Sequence, residues 1–286
     1  MTGKEQGILY LCATPIGNLK DITERVINTL TEVDLIAAED TRNSIKLLNH
    51  FGIKTPMTSY HEHNRYDKAA VLIDKLKEGK DIALITDAGT PGISDPGEVF
   101  VKMCMEEGIR VTSLPGACAC ITALTMSGLN TRRFCFEAFL PSDKKERKEV
   151  LKELRDETRT IIIYEAPHHL QKTLVELGNT LGNRKIAVCR ELTKQFEEVR
   201  HFTVDEAIEY YKRNEPRGEY VLCIEGKDRE ETRQEEQLSW QELSIEEHMR
   251  LYEDQGIERR ECMKKVASDR GITKREVYNA LINADN

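Results

Sequence analysis

The stretch DIALITDAGTPGISDPG, residues 81–97, joins a short apolar run to a loop rich in proline and glycine. The apolar run does not alternate with polar residues, which is typical of a strand buried on both faces of a parallel sheet. Gly89 and Gly92 allow backbone conformations that a side chain would block, and Pro91 stiffens the chain between them. Since a plain connection needs only about 2–6 residues, we predict that the loop is ordered and functional.

The end of this loop carries the signature of a helix start. Asp95 suits the N-cap, Pro96 the first helical position and Glu98 the reciprocal N3 position. The loop lacks the lysine of a phosphate-binding P-loop, and the carboxylates of Asp87 and Asp95 would repel an anion. We therefore expect a ligand with hydroxyls, an amine or a positive centre, bound by backbone groups and a carboxylate. S-adenosylmethionine has this character.

Apolar runs of strand length alternate with helical patterns along most of the chain. In the first half they are 8–13, 34–39, 81–86 and 109–114, and in the second half 133–140, 160–166, 185–191, 197–203 and 219–226. The first series predicts a largely parallel sheet covered by helices, and the second series predicts a further α/β domain. Two tandem αβα domains are therefore expected, residues 1–118 and 119–227. In such sheets a ligand lies beyond the carboxyl ends of the strands, and we expect it in the cleft between the two domains.

The last quarter of the chain has a different pattern. Residues 228–239 contain almost no large apolar residue and are predicted to form a charged linker. Residues 240–286 show a helical pattern and are predicted to form a small helical domain. Its helix starts are marked by the capping boxes Ser244 with Glu247 and Thr273 with Glu276. The last two helices resemble a helix-turn-helix, which either contacts nucleic acid or simply packs.

The composition limits the function. With a formal net charge of −8, the protein is not expected to bind nucleic acid indiscriminately, although a local basic surface can still meet RNA. Six residues are candidates for that surface: Arg132, Arg133, Lys144, Lys145, Arg147 and Lys148. The alternative is that 143–156 is the solvated face of a helix with Glu–Lys pairs.

Cysteine and histidine usage argues against a metal site. The eight cysteines are scattered without a CxxC pair, and neither His61 with His63 nor His168 with His169 has a matching set of ligands. No apolar stretch reaches the roughly 18 residues of a membrane span, and the amino-terminal residues lack a signal-peptide pattern. We therefore expect a cytoplasmic protein with neither metal nor membrane contact.

Seven motifs then occur in a fixed order: ATPIGNLKDIT (13–23), AAEDTR (37–42), ITDAGTPGISDPG (85–97), LPGACA (114–119), YEAPHHL (164–170), RELTK (190–194) and GEYVL (218–222). With them the sequence closely resembles the small-subunit rRNA 2′-O-ribose methyltransferases of the tetrapyrrole methylase superfamily. The resemblance implies an S-adenosylmethionine-dependent enzyme, usually a homodimer, that methylates the ribose 2′-oxygen of a decoding-region cytidine in 16S rRNA of the 30S subunit.

The resemblance also implies which residues surround the cofactor. They are Pro15, Asp87, Ala88, Gly89, Ile93, Ser94, Gly116, Ala117, Cys118, Tyr164, Glu219, Tyr220 and Val221. Close relatives often have PGASA where this chain has PGACA. The thiol of Cys118 therefore replaces a hydroxyl at one expected cofactor contact.

Methyl transfer requires the nucleophilic oxygen about 3 Å from the methyl carbon and a group that takes its proton. Five residues of the motifs are candidates for this chemistry: Glu39, Asp40, Arg42, Glu165 and Lys194. His61 and Glu191 are further candidates for the base, and Arg42 suits a phosphate beside the target ribose. The acidic pair at 39–40 and Arg42 could equally form a structural ion pair. Two other functions stay open: a tetrapyrrole or corrin precursor methylase, and a non-catalytic RNA-binding assembly factor.

Overall fold

A computed structural model describes residues 6–284, which contain two five-stranded sheets with helices. The α/β fold class is therefore confirmed. The strands of the first sheet are β1 (Leu9–Cys12), β2 (Leu35–Ala38), β3 (Met57–Ser59), β4 (Ile82–Ile85) and β5 (Val111–Leu114). Their order is β3-β2-β4-β1-β5, and every pairing is parallel. The edge strand β3 lacks the apolar run by which the other four strands were predicted.

Helices cover both faces of the first sheet, as the apolar strands predict. They are α1 (Glu24–Glu32), α2 (Thr41–His50), α3 (Arg65–Lys77) and α4 (Gly97–Glu106). On one face Leu72 and Phe100 pack against the strands, and on the other Leu30 and Leu48 do so. All four side chains are essentially inaccessible to solvent, so the sheet is a rigid base for the loops at its carboxyl edge.

The second sheet has a mixed direction. Its strands are β6 (Phe134–Phe139), β7 (Thr160–Glu165), β8 (Lys185–Arg190), β9 (Glu198–Thr203) and β10 (Tyr220–Ile224), in the order β6-β7-β10-β8-β9. Only β6 with β7 is parallel, whereas β10 runs antiparallel to both neighbours and β8 antiparallel to β9. The largely parallel arrangement predicted for the first sheet therefore does not extend to the second. The short segment 191–197 joins β8 to β9 without the crossover that parallel strands need.

The helices of the second half are α5 (Ala119–Met126), α6 (Lys144–Arg155), α7 (Pro167–Leu181) and α8 (Val204–Arg213). Helix α5 packs against the second sheet through Ala123 and Leu124. The residues up to Lys152 and Arg159–Glu225 form one compact unit that contains both sheets. The domain boundary at residue 118 stays a prediction.

Glu153–Thr158 and the residues from Gly226 onward form a second compact unit. Its helices are α9 (Arg229–Ser239), α10 (Ile245–Glu253), α11 (Arg259–Arg270) and α12 (Lys274–Ala284). The segment predicted as a charged linker is thus the helix α9, because Glu, Gln and Arg favour helices even without apolar neighbours. Both predicted capping boxes are present, at Ser244 with Glu247 and at Thr273 with Glu276.

Candidate functional site

A cleft of about 420 Å³ lies where the carboxyl ends of β4 and β7 approach each other within the first unit. Ten of the residues predicted to bind the cofactor line it: Asp87, Ala88, Gly89, Ile93, Ser94, Cys118, Tyr164, Glu219, Tyr220 and Val221. Residues that the sequence did not single out also line it, among them Ile16, Thr86, Leu192 and Phe139. Thr86 and Phe139 stand at strand ends, which is the signal that could have identified them.

The loop after β4 is held in shape by Asp95. Its carboxylate accepts hydrogen bonds from the backbone amides of Gly92, Ile93 and Gly97, at 2.8–3.0 Å. The predicted N-cap is one residue off: α4 begins at Gly97 with Pro96 as its N-cap, and Asp95 precedes the cap and accepts the Gly97 amide. Because its lone pairs are used by the loop itself, Asp95 organises the cleft wall.

Hydrogen bonds connect the loops after β1 and β5 to the loop after β4. Thr14 and Gly89 exchange backbone hydrogen bonds of 2.9 and 3.0 Å, and the φ of +89° at Gly89 makes this approach possible. The Thr90 hydroxyl donates to the carbonyl of Ala117 at 2.9 Å. Pro15, Gly116 and Ala117, which were also predicted to bind the cofactor, are not among the described lining residues but adjoin them along the chain.

Backbone strain is concentrated around the cleft. Among the described residues, four that are not glycine have a positive φ: Ser94, Ala138, Glu191 and Thr193. Ser94 lines the cleft, and the other three directly flank the lining residues Phe139 and Leu192. Such conformations cost about 1–3 kcal/mol each and persist where the surroundings enforce them, often at functional sites.

Carboxylates gather at one end of the cleft. Glu39 and Asp87 both line it, and the Glu39 carboxylate accepts the Asp87 amide at 3.4 Å. Desolvation raises the pKa of Glu39; the Asp87 amide opposes this, and the charges of Asp87, Asp95 and Asp40 add to the rise. The Asp87 carboxylate accepts a hydrogen bond from Asn43 at 3.2 Å and is otherwise exposed. This end of the cleft suits a positively charged group.

Asp40 and Arg42 form an ion pair outside the lining residues of the described chain. Asp40 is the N-cap of α2 and accepts from both the backbone and the guanidinium of Arg42, at 2.7–3.1 Å. These hydrogen bonds lower the pKa of Asp40 to about 2, which makes it a poor proton acceptor at neutral pH. The Arg42 side chain is 88% exposed and can still meet a phosphate.

Glu165 belongs to a buried polar network in the cleft wall. One of its oxygens accepts the Ala166 amide at 2.8 Å, and the other accepts the Thr173 hydroxyl. The Thr173 oxygen in turn accepts from the Arg147 guanidinium at 2.7 Å, and Arg147 pairs with Glu176 at 2.7 Å. Glu165 is only 5% exposed. The network fixes the corner between β7 and α7, which favours a positioning role for Glu165.

Arg147 is therefore corrected from an RNA contact to a structural residue, because its side chain is 13% exposed and fully engaged. The sequence could not reveal this, since Thr173 and Glu176 are more than 25 residues away. The other five predicted RNA contacts, Arg132, Arg133, Lys144, Lys145 and Lys148, are exposed.

Replacing Thr173 with valine should reduce the free energy of unfolding by about 1–3 kcal/mol. The valine leaves a carboxylate oxygen of Glu165 and a guanidinium N–H of Arg147 buried without a partner. Thr173→Ser keeps the hydroxyl and should lose clearly less. Chemical denaturation of both variants measures the difference, and equal losses would show that the methyl group, not the network, matters.

Lys194 holds together two segments beside the cleft. Its ammonium group bonds Glu191 at 3.0 Å and Glu219 at 2.8 Å, and Glu191 also accepts the Glu219 amide at 2.9 Å. Burial works to lower the pKa of Lys194, but its two carboxylate partners outweigh this and raise it. Lys194 is therefore a permanent cation that orders the segment 191–197, and it does not accept a proton.

Aromatic rings and a thiol pair form another part of the cleft. The Tyr164 ring contacts Phe139 edge-on, with centroids 5.6 Å apart, and its hydroxyl accepts the Cys120 amide at 3.1 Å. A β-bulge at Ala138 turns Phe139 outward, leaving it 57% exposed. The Sγ atoms of Cys118 and Cys120 lie 3.4 Å apart, and this hydrogen bond lowers the pKa of Cys118 to about 6.

The remaining predictions concern His61 and His63, a metal site and membrane-spanning helices. The ring centroids of His61 and His63 lie 6.0 Å apart. Among the side chains that the structure describes, no three of His, Cys, Asp or Glu form a potential metal cluster. His61 is not a lining residue of the cleft as described. No helix among the described residues is long and apolar enough to cross a membrane.

Comparison with known proteins relates this geometry to a family. A family model described as Tetrapyrrole (Corrin/Porphyrin) Methylases matches residues 8–208. Ribosomal RNA small subunit methyltransferase I of Halalkalibacterium halodurans is 48% identical over 275 residues, covering 96% of this chain and 94% of the relative. The protein of the same description from Bacillus subtilis is 49% identical over 276 residues, covering 96% and 94%.

Solved structures with low sequence identity share the fold. A diphthine synthase is 13% identical with a TM-score of 0.62, covering 77% of this chain and 90% of that one. A uroporphyrin-III-C-methyltransferase from Thermus thermophilus is 17% identical with a TM-score of 0.55, covering 76% and 94%. At such identity the similarity establishes the architecture of the two sheets and nothing about the substrate.

Proposed function

The chain belongs to the tetrapyrrole (corrin/porphyrin) methylase family, and on this premise we propose that it transfers a methyl group from S-adenosylmethionine to the ribose 2′-oxygen of a decoding-region cytidine in 16S rRNA. The observation that carries the proposal is the cleft of about 420 Å³, in which the predicted cofactor residues meet. The RNA substrate is supported by relatives at about 48% identity that are described as ribosomal RNA small subunit methyltransferase I. The tetrapyrrole methylase neighbours share only 17% identity and support the fold alone.

The chemistry of the cleft fits the cofactor. Asp87 supplies negative charge for an amino group or a sulfonium, and exposed backbone groups of the loop supply hydrogen bonds for ribose and carboxylate. The rings of Tyr164 and Phe139 offer flat apolar surface for an adenine. When bound, S-adenosylmethionine supplies an electrophilic methyl group on a cationic sulfur.

Glu39 is the best placed of the candidate bases. It lines the cleft, and its raised pKa brings the carboxylate closer to the proton affinity of a useful general base at neutral pH. Glu165 holds the cleft wall, and Lys194 is already protonated. In this mechanism Glu39 takes the proton of the ribose hydroxyl while Arg42 binds an adjacent phosphate.

The exposed cations are the proposed contacts for the RNA. Arg132 and Arg133, together with Lys144, Lys145 and Lys148, would meet phosphates of the rRNA and position the target ribose. We also propose that the enzyme is homodimeric and cytoplasmic and that it acts on rRNA within the 30S subunit.

The proposal is tested by incubating the protein with methyl-labelled S-adenosylmethionine and either 30S subunits or naked 16S rRNA. We expect label on the ribose of one cytidine, mapped by nuclease digestion and mass spectrometry. Label on a base would contradict the 2′-O assignment. Methylation of a porphyrin precursor with no label in rRNA would favour the alternative methylase.

The thiol of Cys118 provides a probe for the cofactor position. Because the hydrogen bond with Cys120 lowers the pKa of Cys118, iodoacetamide should alkylate Cys118 faster at neutral pH than it alkylates an ordinary cysteine. S-adenosylhomocysteine should slow this alkylation, since Cys118 lines the cleft. The buried Cys104 should stay unmodified in the same digest. Alkylation that S-adenosylhomocysteine leaves unchanged would place the cofactor elsewhere.

A further inference from the structure

The helices α11 and α12 form a hairpin that exposes one basic face. They are joined by residues 271–273, where Gly271 adopts a left-handed conformation with φ of 63°. A three-residue turn with a glycine is typical of helix-turn-helix units. The apolar sides of the two helices pack around Cys262, Val266 and Val277, which are fully buried. The opposite sides are therefore free to meet a partner.

A surface groove of about 670 Å³ runs along this exposed side. It is lined by Glu258, Arg259, Arg260, Met263, Lys274, Arg275 and Tyr278. Arg259 lies 3.8 Å from Glu253, and among the side chains that the structure describes none forms an ion pair with Arg260, Lys274 or Arg275. The groove itself carries four cationic side chains and one carboxylate, Glu258. Beside it, Glu261 is bonded to Lys264 at 2.6 Å and also interacts electrostatically with Arg260 and Lys274, while Glu276 caps α12.

The charge of the hairpin is opposite to that of the whole chain. From 259 to 284 there are seven basic and three acidic residues, whereas the complete sequence has a net charge of −8. Of the basic residues, Arg270 is used internally, bonding His248 at 3.1 Å and the carbonyl of Leu243 at 2.6 Å. A local positive surface on an acidic protein is an attractive site for a polyanion.

An exposed aromatic ring gives the groove a second feature. Tyr278 is 55% exposed, and Met263 lies beside it among the lining residues. Cations that follow a phosphate backbone, combined with a ring on which a base can stack, are the elements by which proteins bind single-stranded nucleic acid. A partner protein with an acidic surface would pair with the cations, but it would not account for the exposed aromatic ring.

We propose that the groove between α11 and α12 is a second RNA-binding site, which holds a single-stranded rRNA segment by its phosphates and stacks one base on Tyr278. The inference rests on the proposed function for the identity of the RNA. The site is separate in sequence from the cleft residues, and it would add affinity for the substrate without taking part in methyl transfer.

The test uses the full-length protein with Arg260 and Arg275 both replaced by alanine. Both side chains are exposed, so the fold should be retained. We expect roughly tenfold weaker binding of 16S rRNA in fluorescence anisotropy. The slope of the logarithm of the binding constant against the logarithm of the salt concentration should fall in magnitude by about 1.4, or about 0.7 for each lost phosphate contact. Tyr278→Ala should weaken binding without changing the slope. The KM for 30S subunits should rise while kcat and the affinity for S-adenosylmethionine stay unchanged.

Two controls separate charge from position. Arg260→Lys with Arg275→Lys keeps the cations and should retain most of the affinity. Lys212→Ala with Arg213→Ala removes two exposed cations from α8, in the other compact unit, and should alter the salt slope less. If the Arg260 and Arg275 double alanine variant binds rRNA as the α8 control does, the proposed site is overturned. Absence of methylation by the wild type contradicts only the proposed function, because anisotropy reports RNA binding independently.

Discussion

Replacing Asp87 with alanine should weaken the binding of S-adenosylmethionine by about 10- to 100-fold while leaving the free energy of unfolding nearly unchanged. Hydrogen bonds that involve a charged group contribute about 1.5–3 kcal/mol, and solvent screening at this exposed carboxylate favours the lower part of that range. Its protein partner is Asn43, at 3.2 Å on the surface, so the fold depends little on it. Isothermal titration calorimetry measures the affinity, and thermal denaturation measures the stability.

Two further variants show what the carboxylate contributes. Asp87→Asn keeps the shape and an acceptor oxygen but removes the charge, so an intermediate loss would separate charge from hydrogen bonding. Asp74→Ala removes an exposed carboxylate on α3, away from the lining residues described, and should bind the cofactor normally. Unchanged affinity in Asp87→Ala would show that the loop from Asp87 to Gly97 does not bind the cofactor in the way proposed.

The sequence allowed four of the five strands of the first sheet and the loop after β4 to be predicted, because their signals are local, whereas the edge strand β3 was missed. The run at 81–86 is apolar without interruption, and Asp95 with Pro96 marks the start of α4 within three residues. The loop's position at the end of β4 follows from the parallel sheet itself. These features require no knowledge of which distant segments meet.

The second sheet and the wall of the cleft depend on contacts that no local pattern encodes. The strand β10 is as apolar as β4, yet it runs antiparallel to its neighbours, because strand direction follows from how connections pass and not from composition. Likewise, the partners of Arg147 lie far along the chain in α7, so its position within a lysine-rich helix suggested a surface cation. Helix α9 shows the converse, since the segment lacks an apolar pattern and yet forms a helix that contacts α11.

The carboxylates near the cleft could be named from their motifs but not ranked, because their protonation depends on neighbours from several loops. Asp40 and Glu39 are adjacent in sequence, yet Arg42 lowers the pKa of one while desolvation raises the pKa of the other. The ion pair with Arg42 keeps Asp40 ionised, whereas burial makes Glu39 the better proton acceptor. This difference makes the identity of the base testable by its pH dependence.

Replacing Glu39 with glutamine should lower kcat by about 10²- to 10⁴-fold, the range typical of a lost general base. Glutamine keeps an oxygen that can accept the Asp87 amide, so the shape of the cleft and the affinity for S-adenosylmethionine should change much less than kcat. Single-turnover methylation of 30S subunits at saturating cofactor measures the chemical step directly.

The pH profile distinguishes this role from a structural one. A base works only when deprotonated, so the wild-type rate should fall as the pH drops through the raised pKa of Glu39, with a midpoint above the ordinary glutamate value of about 4.3. Glu39→Gln should lose this acidic limb. Asp40→Asn should keep it, because a carboxyl with a pKa of about 2 remains ionised throughout. An acidic limb that persists in Glu39→Gln would assign the proton transfer to another group, whereas its loss together with kcat would identify Glu39 as the group that activates the ribose.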